Sequence, residues 1–156
     1  MKKLFLNLKE ILTGPHQHYF ISLAGVLIVK DKALIVRIPQ GPNKGYWDIP
    51  GGRIDNNEDY HKAFQRELKE ELNLTDFENL GVVDYDIWNI RDWYPICVII
   101  HLIKTAQEPK IKLSPEHDQY KWIKEDEIDN YQFWWPNSPR FLKKAFKYNK
   151  LIEYKN

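Results

Sequence analysis

Four glutamates between residues 58 and 71 could act together in the chemistry of this protein. Three of them, Glu67, Glu70 and Glu71, fall within five residues of each other, and the fourth is Glu58. If this stretch is helical, with about 100° between successive residues, those three project into an arc of roughly 100°. Like charges at i and i+4 on a helix cost ~0.2–0.5 kcal/mol, and a bound divalent cation would reverse that cost. Ligands that are all oxygens favour hard ions such as Mg²⁺ or Mn²⁺.

The surroundings of the glutamates favour a site over a solvated charged surface. On the same helical wheel, Lys62 and Lys69 point to the opposite side, where they cannot neutralise the carboxylates at close range. Arg66 lies on the flank of the cluster, and it can pair with Glu70 one helical turn later. The sequence Pro-Gly-Gly at 50–52 predicts a turn just before the helix. Because glycine has no Cβ, the backbone of that turn can approach a metal ion or a phosphate closely.

This stretch resembles the Nudix box, G-x5-E-x7-R-E-U-x-E-E-x-G-U, in which U is a bulky aliphatic residue. Eight of the nine fixed positions match over residues 52–74, and the preceding WDIPGGR is also typical of the family. The one departure is Asn73, where the family has glycine. Asn is among the few other residues that readily take the left-handed conformation, so Asn73 is expected to end the helix as glycine would. The matching residues are Gly52, Glu58, Arg66, Glu67, Leu68, Glu70, Glu71 and Leu74.

The resemblance implies both a fold and a reaction. The fold is of the α/β class, a mixed β-sheet sandwiched between helices in an α/β/α arrangement. The reaction is hydrolysis of a diphosphate linked to another moiety, usually a nucleoside, with Mg²⁺ or Mn²⁺ as cofactor. Glu58 would act at the edge of the site, and Arg66 would hold the glutamates in place. The metal ligands would be the Gly52 carbonyl and the carboxylates of Glu67, Glu70 and Glu71.

Two sources of the general base stay open, because the carboxylate that takes the proton from the attacking water varies across the family. The box glutamates are one source. The other is a glutamate in the loop before a late strand, which in SPEHDQYKWI is Glu116. Glu116 could instead be an ordinary loop acid. The neighbouring His117 is expected to be solvated and not catalytic.

Substrate selection lies outside the box. Arg37, at the end of a β-rich run, and Arg53, after the glycines, could each meet a phosphate or lie at the surface. Trp47, Trp88 and Trp93 could stack on a base, although core packing is the commoner role of each.

A late segment, FWWPNSPRFLKKAF at residues 133–146, resembles part of the MutT-type nucleoside triphosphate pyrophosphohydrolases, in which an Asn beside a Pro reads a purine edge. Asn137 is at the matching place, and its amide offers both a donor and an acceptor. The alternative is a helix N-cap, because Asn137 or Ser138 directly before Pro139 would serve that purpose well.

The remaining elements follow from periodicity and turn signals. The β-rich runs YFISLAGVLIV and ALIVRI predict a hairpin, and YWDIP predicts a short strand. Helical periodicity runs from about Glu58 to Leu72. NLGVVDYDIWNI and YPICVIIHLIK predict two strands joined by RDW, and YKWI predicts another. KEDEIDN predicts a short acidic helix or turn, and an amphipathic helix starts at Ser138. This order predicts a mixed sheet with helices packed on it.

The chain of 156 residues is expected to form a single domain, 1–156, in which residues 1–18 are an N-terminal helix and loop extension. Polar residues interrupt the apolar start, so a signal peptide is not predicted. No apolar run approaches the length of a membrane span. A cytoplasmic protein that does not bind membranes is therefore expected. The apolar residues at helical spacing are Leu4, Phe5, Leu8, Ile11 and Leu12.

The amino-acid composition limits the kinds of molecule that the protein is expected to bind. With 23 basic and 22 acidic residues the net charge is +1, so no global basic field exists to hold duplex nucleic acid. A single cysteine, Cys97, excludes an internal disulfide. The expected partner is a small-molecule nucleotide, without nucleic acid, and a homodimer is possible.

The favoured function is a divalent-cation-dependent nucleoside triphosphate pyrophosphohydrolase that releases nucleoside monophosphate and pyrophosphate. ADP-ribose, other nucleotide sugars and dinucleoside polyphosphates stay open as substrates, although PGGRID differs from the lysine-containing turn common in dinucleoside polyphosphate hydrolases. A non-catalytic nucleotide sensor with a Nudix fold is the second class of function. Such proteins usually lose box glutamates, and this chain keeps all four.

Overall fold

The computed structural model describes residues 18–90 and 94–155. The N-terminal helix predicted within residues 1–18, and Trp93, lie outside the described residues, apart from His18. Neither described helix is long and apolar enough to cross a membrane. The strands are β1 (Phe20–Val29), β2 (Lys32–Arg37), β3 (Trp47–Asp48), β4 (Gly51–Arg53), β5 (Glu78–Ile90), β6 (Tyr94–Lys104) and β7 (Gln119–Ile123). The helices are α1 (Tyr60–Leu72) and α2 (Ser138–Lys155), with a 3-10 helix, η1 (Glu125–Asn130), before α2.

The strands form one mixed sheet, as the sequence predicts. Their order is β3-β2-β1-β6-β5, with β4 paired to β1 and β7 paired to β2. β1 and β6 run parallel, with Phe20 opposite Ile96. The β1–β2 pair is antiparallel, which confirms the predicted hairpin, and β5 and β6, predicted as two strands, also pair antiparallel.

Each face of the sheet carries its own apolar core. Even-numbered residues of β1 such as Val26 pack on one face with Phe141 of α2. Odd-numbered residues such as Leu23 pack on the other face with Phe64 and Leu68 of α1. Burying one such side chain fully contributes about 1.5–3 kcal/mol. The helices therefore lie on opposite faces, and the predicted α/β/α sandwich is confirmed.

α1 is positioned by caps at both ends. Its first turn is capped by Asp59, whose Oδ1 accepts from the backbone N–H of His61 at 3.0 Å and of Lys62 at 3.1 Å. The helix therefore starts at Tyr60, slightly later than the periodicity predicts, and Glu58 precedes it. At the other end Asn73 has φ 56°, and its N–H donates to the Lys69 carbonyl at 2.9 Å. The predicted left-handed cap at Asn73 is confirmed.

The Gly51–Gly52 pair differs from the predicted turn, because it forms strand β4. Gly52 pairs with Leu23 of β1, and Gly51 pairs with Ala24. Gly51 has φ 144°, and a Cβ there would lie 2.0 Å from the Leu23 carbonyl oxygen. The missing side chain thus lets the backbone approach β1 closely enough to form a ladder. This pairing fixes the start of the Nudix-like stretch against the centre of the sheet.

We expect Gly51→Ala to lower the free energy of unfolding by at least ~2 kcal/mol, because it adds backbone strain and a clash with β1. Gly41→Ala is the matched control, since Gly41 also has positive φ, at 77°, but no atom lies within 4 Å of the added Cβ. That control should cost only ~1 kcal/mol. Urea denaturation of both variants measures the difference, and equal losses would contradict the close approach at Gly51.

Candidate active site

Arg66 ties the acidic residues around α1 together. Its Nε and Nη2 donate to the two oxygens of Glu58 at 2.8 and 2.9 Å. Its Nη1 donates to Glu67 at 2.8 Å and to Glu70 at 3.2 Å, and Nη2 also reaches the Arg53 carbonyl at 3.1 Å. The hydrogen bonds from Arg66 and from the Asp55 backbone lower the pKa of Glu58 to about 2. One guanidinium therefore connects β4, the segment before α1 and α1 itself.

Glu67 packs directly against β4. A Cβ on Gly52 would lie 2.3 Å from the Glu67 carboxylate, so glycine at this position leaves the space that the carboxylate occupies. The Gly52 carbonyl accepts a hydrogen bond from Ser22 Oγ at 3.2 Å. Burial raises the pKa of Glu67, Arg66 opposes that rise, and the charges of Glu71 and Glu70 add to it. The carboxylate is thus held beside a backbone carbonyl in an environment that lacks enough positive charge.

Glu71 is buried beneath the same strand. Its Oε2 accepts from the Gly51 N–H at 2.8 Å, and its Oε1 lies 3.2 Å from His117 Nε2. Both side chains are almost fully enclosed, with 8% of His117 and 7% of Glu71 exposed. The expectation of a solvated His117 is therefore wrong. The loop before β7 folds back on α1, because Ser114 N–H donates to the Glu71 carbonyl at 3.1 Å.

Neighbouring carboxylates explain why the pKa of the buried His117 is raised. Burial lowers the pKa of His117, but the adjacent Glu71, together with Asp48 and Glu116, outweighs burial and leaves it raised. Glu116 itself is exposed, and its backbone N–H donates to Ser114 Oγ at 3.3 Å. The loop therefore directs the His117 imidazole at the buried Glu71 carboxylate, while the Glu116 side chain is exposed.

Asp48 is a further carboxylate that the sequence analysis missed. Its Oδ1 accepts from the Ile49 N–H at 2.8 Å. Burial raises the pKa of Asp48 to about 7; the Ile49 N–H opposes this rise, Glu71 adds to it and His117 opposes it. Asp48 immediately follows Trp47 in the short strand before the glycines, which is the only signal in the sequence that could have pointed to it.

The oxygen donors around α1 fit a hard divalent cation. All three of Glu67, Glu70 and Glu71 belong to α1, Glu67 packs against Gly52 and Glu71 accepts from the Gly51 N–H, and the site holds more carboxylates than cationic groups. In the part of the chain that the structure describes, no three acidic, His or Cys side chains are already gathered at metal-binding geometry. Arg66 engages two of these glutamates, and Gly51 and His117 engage the third.

A cleft of about 250 Å³ adjoins this site on the α2 face of the sheet. Its lining includes Asp48, Gly51, Arg53, Trp134 and Trp135. The predicted Arg53 is therefore at the cleft. The cleft is mainly apolar with a few polar groups, as is usual for ligand sites.

Asn137 lies at the start of α2, beside the tryptophans. Its Nδ2 donates to Asp86 Oδ2 at 2.5 Å, and its carbonyl accepts from the Phe141 N–H at 3.1 Å. The second bond is the one that an N-cap carbonyl makes. Trp88 stacks on Trp134 with ring centroids 5.7 Å apart, so its ring belongs to an aromatic cluster. Asp86, which follows Tyr85 in β5, had no signal in the sequence.

Two predicted substrate contacts lie elsewhere. Trp47 is buried in the core, with Tyr131 against its edge at 5.4 Å and Lys121 over its ring at 5.5 Å, and it does not line the cleft. Arg37 forms a two-point ion pair with Asp118 at 2.9 and 2.7 Å. The structure thus brings Arg53 to the cleft but gives Trp47 and Arg37 other partners.

We expect Asp48→Asn to change how stability depends on pH. Between about pH 4, where a free Asp ionises, and about pH 7 the folded chain keeps the Asp48 proton and the unfolded chain releases it. Stability from this group therefore falls as pH rises through that window. The variant should gain stability relative to the wild type from pH 4 to pH 8, measured by urea denaturation with a chelator present. Asp76→Asn, in an exposed loop, controls for the loss of one carboxylate, and a constant difference between wild type and Asp48→Asn would contradict the raised pKa.

Comparisons with known proteins identify the family. The family model for the NUDIX domain matches residues 20–145. An RNA pyrophosphohydrolase of Pelagibacter ubique is 28% identical in an alignment over 117 residues that covers 63% of this chain and 72% of that protein. An 8-oxo-dGTP diphosphatase of Buchnera aphidicola is 29% identical in an alignment over 125 residues that covers 77% of this chain and 88% of that protein. The structure of a C. elegans Ap4A hydrolase binary complex superposes with a TM-score of 0.72 at 21% identity, covering 86% of this chain and 98% of that one. The matched family model and the acidic site on α1 together identify this chain as a member of the Nudix hydrolase family.

Proposed function

We propose that this Nudix hydrolase cleaves a diphosphate linkage in a nucleoside diphosphate derivative with the help of divalent cations. The favoured reaction converts a nucleoside triphosphate to the monophosphate and pyrophosphate. The supporting observation is that α1 holds Glu67 against Gly52 and Glu71 on the Gly51 N–H, with Glu70 joined to Glu67 by Arg66, next to a cleft that Gly51 and aromatic rings line. Acidic side chains suit a metal ion that binds the diphosphate, and an aromatic cleft suits the nucleoside.

The residues of the chain would divide the work between charge and orientation. Glu67, Glu70 and Glu71 with the Gly52 carbonyl would hold the metal, which supplies neutralisation of the diphosphate charge when it is bound. Arg66 would keep these carboxylates in register. A carboxylate would take the proton from the attacking water, and the box glutamates and Glu116 remain the two sources. His117 would position Glu71, since both lie together in the interior.

The nucleoside would lie in the cleft. We propose that Trp134 and Trp135 contact the base or ribose, and that Arg53 meets a phosphate. Asn137 and its hydrogen-bond partner Asp86, which also accepts from the cleft residue Trp135, offer amide and carboxylate groups that suit a base edge. Arg37 and Trp47 would then make no direct contact with the substrate. Arg37 would pair with Asp118, and Trp47 would pack in the core.

One comparison favours a second candidate substrate. The relative from Buchnera aphidicola is named for a nucleoside triphosphate, whereas that from Pelagibacter ubique is named for RNA. A triphosphorylated RNA 5′ end carries the same phosphate chain on a nucleoside. An assay should therefore include nucleoside triphosphates, ADP-ribose, a dinucleoside polyphosphate and a 5′-triphosphorylated oligoribonucleotide, each with Mg²⁺ or Mn²⁺. Whether the released product is pyrophosphate or phosphate shows which bond is cleaved.

We expect Glu71→Gln to reduce kcat by ~100-fold or more, because it removes a charge from the metal-binding set. The isosteric amide can still accept from the Gly51 N–H, so the fold should persist, as circular dichroism would check. Mn²⁺ affinity, followed by electron paramagnetic resonance, should weaken in parallel. Glu108→Gln, in an exposed loop, is the matched control and should behave as wild type.

Two results of these assays would contradict the proposed function. If the wild type releases no phosphate-containing product from any substrate in the panel, the catalytic function is wrong and the nucleotide-sensor alternative gains. If Glu71→Gln keeps full activity, the assignment of Glu71 to the metal is wrong.

We expect Asn137→Ala to alter base preference more than turnover. Loss of the amide should lower kcat/KM for purine against pyrimidine nucleoside triphosphates by ~10-fold, since a polar edge contact is lost. Asn130→Ala, also exposed but at the end of η1, is the matched control. An unchanged purine to pyrimidine ratio with lower stability would show that Asn137 serves only as a helix cap.

A further inference from the structure

The exposed side of α2 carries a cluster of cations. Five basic residues of this helix line a surface groove of about 620 Å³, and Glu125 of η1 is the one carboxylate in its lining among the described residues. With about 100° between successive helical residues, the five basic residues lie within an arc of roughly 120°. The opposite side of α2 is buried in the core. We call the five residues the cationic face: Arg140, Lys143, Lys144, Lys147 and Lys150.

A buried carboxylate holds two of these cations in place without covering them. Arg140 and Lys144 donate to Asp84 of β5 at 3.0 and 2.8 Å, and Asp84 is only 8% exposed. The side chains of Arg140 and Lys144 nevertheless stay 44% and 50% exposed. An arginine has five N–H donors and a lysine has three, so both keep donors for a second anion.

The other three cations are held weakly. Lys143 pairs with Asp129 and Lys150 pairs with Glu125, and all four of these side chains are exposed. Such surface pairs contribute little to stability, so a phosphate can replace the carboxylate. Lys147, at the centre of the arc, forms no ion pair within residues 18–90 and 94–155. The cationic face is therefore open to an anionic partner, although the net charge of the chain is only +1.

The cationic face starts beside the cleft. Ser138 and Phe141 of α2 line the cleft, and the Arg140 guanidinium lies over the Phe141 ring, 4.9 Å from its centroid. From Arg140 the face follows α2 to Lys150, a distance of about 15 Å at 1.5 Å per residue. A nucleoside in the cleft would therefore have a row of cations leading away from it.

Exposed tyrosines accompany these cations. Tyr154 is 92% exposed, and it lies within the same arc about two turns after Lys147. Tyr148 is 48% exposed on the flank of the arc. Proteins bind single-stranded nucleic acids through a positively charged groove together with aromatic rings on which the bases stack. The outer side of α2 offers both of these features.

We propose that the cationic face binds the phosphates of a single-stranded polynucleotide whose 5′-terminal nucleoside lies in the cleft. A row of cations on one helix is complementary to a strand that carries a negative charge on every nucleotide. The length of the face corresponds to about four nucleotides of a stacked strand, at ~3.4 Å each. The inference rests on the proposed function for the nucleoside in the cleft. Among the substrates considered there, it favours the 5′-triphosphorylated oligoribonucleotide.

A membrane surface is the other large anionic partner that a basic helix can meet. Helices that lie on a membrane insert an apolar face at the boundary between headgroups and acyl chains. The apolar side of α2 is packed on the sheet instead, where Phe141, Leu142 and Phe146 are 1%, 0% and 3% exposed. The structure therefore favours the polynucleotide.

Binding can be measured without hydrolysis. Oligoribonucleotides with a 5′-monophosphate and a 3′-fluorescein, one, three, six and nine nucleotides long, are titrated with the full chain in the presence of a chelator, and fluorescence anisotropy is recorded. We expect the six-mer to bind ~10-fold more tightly than the mononucleotide, with little further gain for the nine-mer, because the face is then filled. Added salt should weaken six-mer binding with a logarithmic slope of about −0.7 for each phosphate contacted.

Two double variants test the cationic face directly. Lys147→Gln/Lys150→Gln should weaken six-mer binding ~10-fold and reduce the size of the salt slope by about 1.4, while mononucleotide binding should lose much less. Lys62→Gln/Lys69→Gln removes the same charge from the exposed side of α1, on the other face of the sheet, and is the matched control. It should bind the six-mer as the wild type does. Circular dichroism checks that both variants are folded.

The outcomes separate the alternatives. An affinity that does not grow from one to six nucleotides would overturn the proposal. Equal losses in the two double variants would also overturn it, because they would show a general effect of net charge. Binding to vesicles of equal parts phosphatidylcholine and phosphatidylserine, but not to the six-mer, would assign the face to a membrane. A chain that binds the six-mer through these lysines but hydrolyses no substrate in the panel would contradict the proposed function alone.

Discussion

The guanidinium group of Arg66 is the interaction on which the arrangement of the site depends. Arginine carries five N–H donors in one rigid plane. In this fold that plane reaches Glu58, Glu67, Glu70 and the Arg53 carbonyl at once. The residues that it joins come from β4, from the segment before α1 and from α1. A single side chain thereby sets the position of the helix relative to the strand that supplies the Gly52 carbonyl.

The same arrangement leaves negative charge in surplus. Glu58 accepts two hydrogen bonds from Arg66, and these, with the Asp55 backbone N–H, lower the pKa of Glu58 to about 2. Burial keeps the pKa of Glu67 raised despite its hydrogen bond from Arg66, with the charges of Glu71 and Glu70 adding to the rise, and among the described residues Glu71 has only the His117 imidazole beside it as a cationic group. Burying several carboxylates without full compensation costs stability. A fold keeps such a cost where function requires it, which here agrees with a site made for cations.

The sequence patterns predicted those features of the fold that depend on interactions between residues close together in the chain. Asn73 could be assigned from the sequence, because the left-handed cap depends on one residue and its helix. The same holds for the strands and for α2. His117 and Asp48 could not be assigned, because their environment depends on a loop that folds back across α1 and on a strand that enters the interior. The sequence left two roles open for Trp47 for the same reason, since only the tertiary fold decides whether a ring meets the core or a ligand.

Under the proposed function, the two faces of the sheet separate the residues for the reaction from those that bind the substrate. The carboxylates and the Gly52 carbonyl belong to β4, α1 and the segment between them, which are contiguous in sequence, so a motif can specify them. The cleft instead combines Asp48, Arg53, Trp134 and Trp135 with β1 and β6, which only the parallel pairing of those strands brings together. No short pattern can encode such a set. Under the proposed function, substitutions on the α2 face can therefore change the substrate while the carboxylates held by Arg66 remain in place.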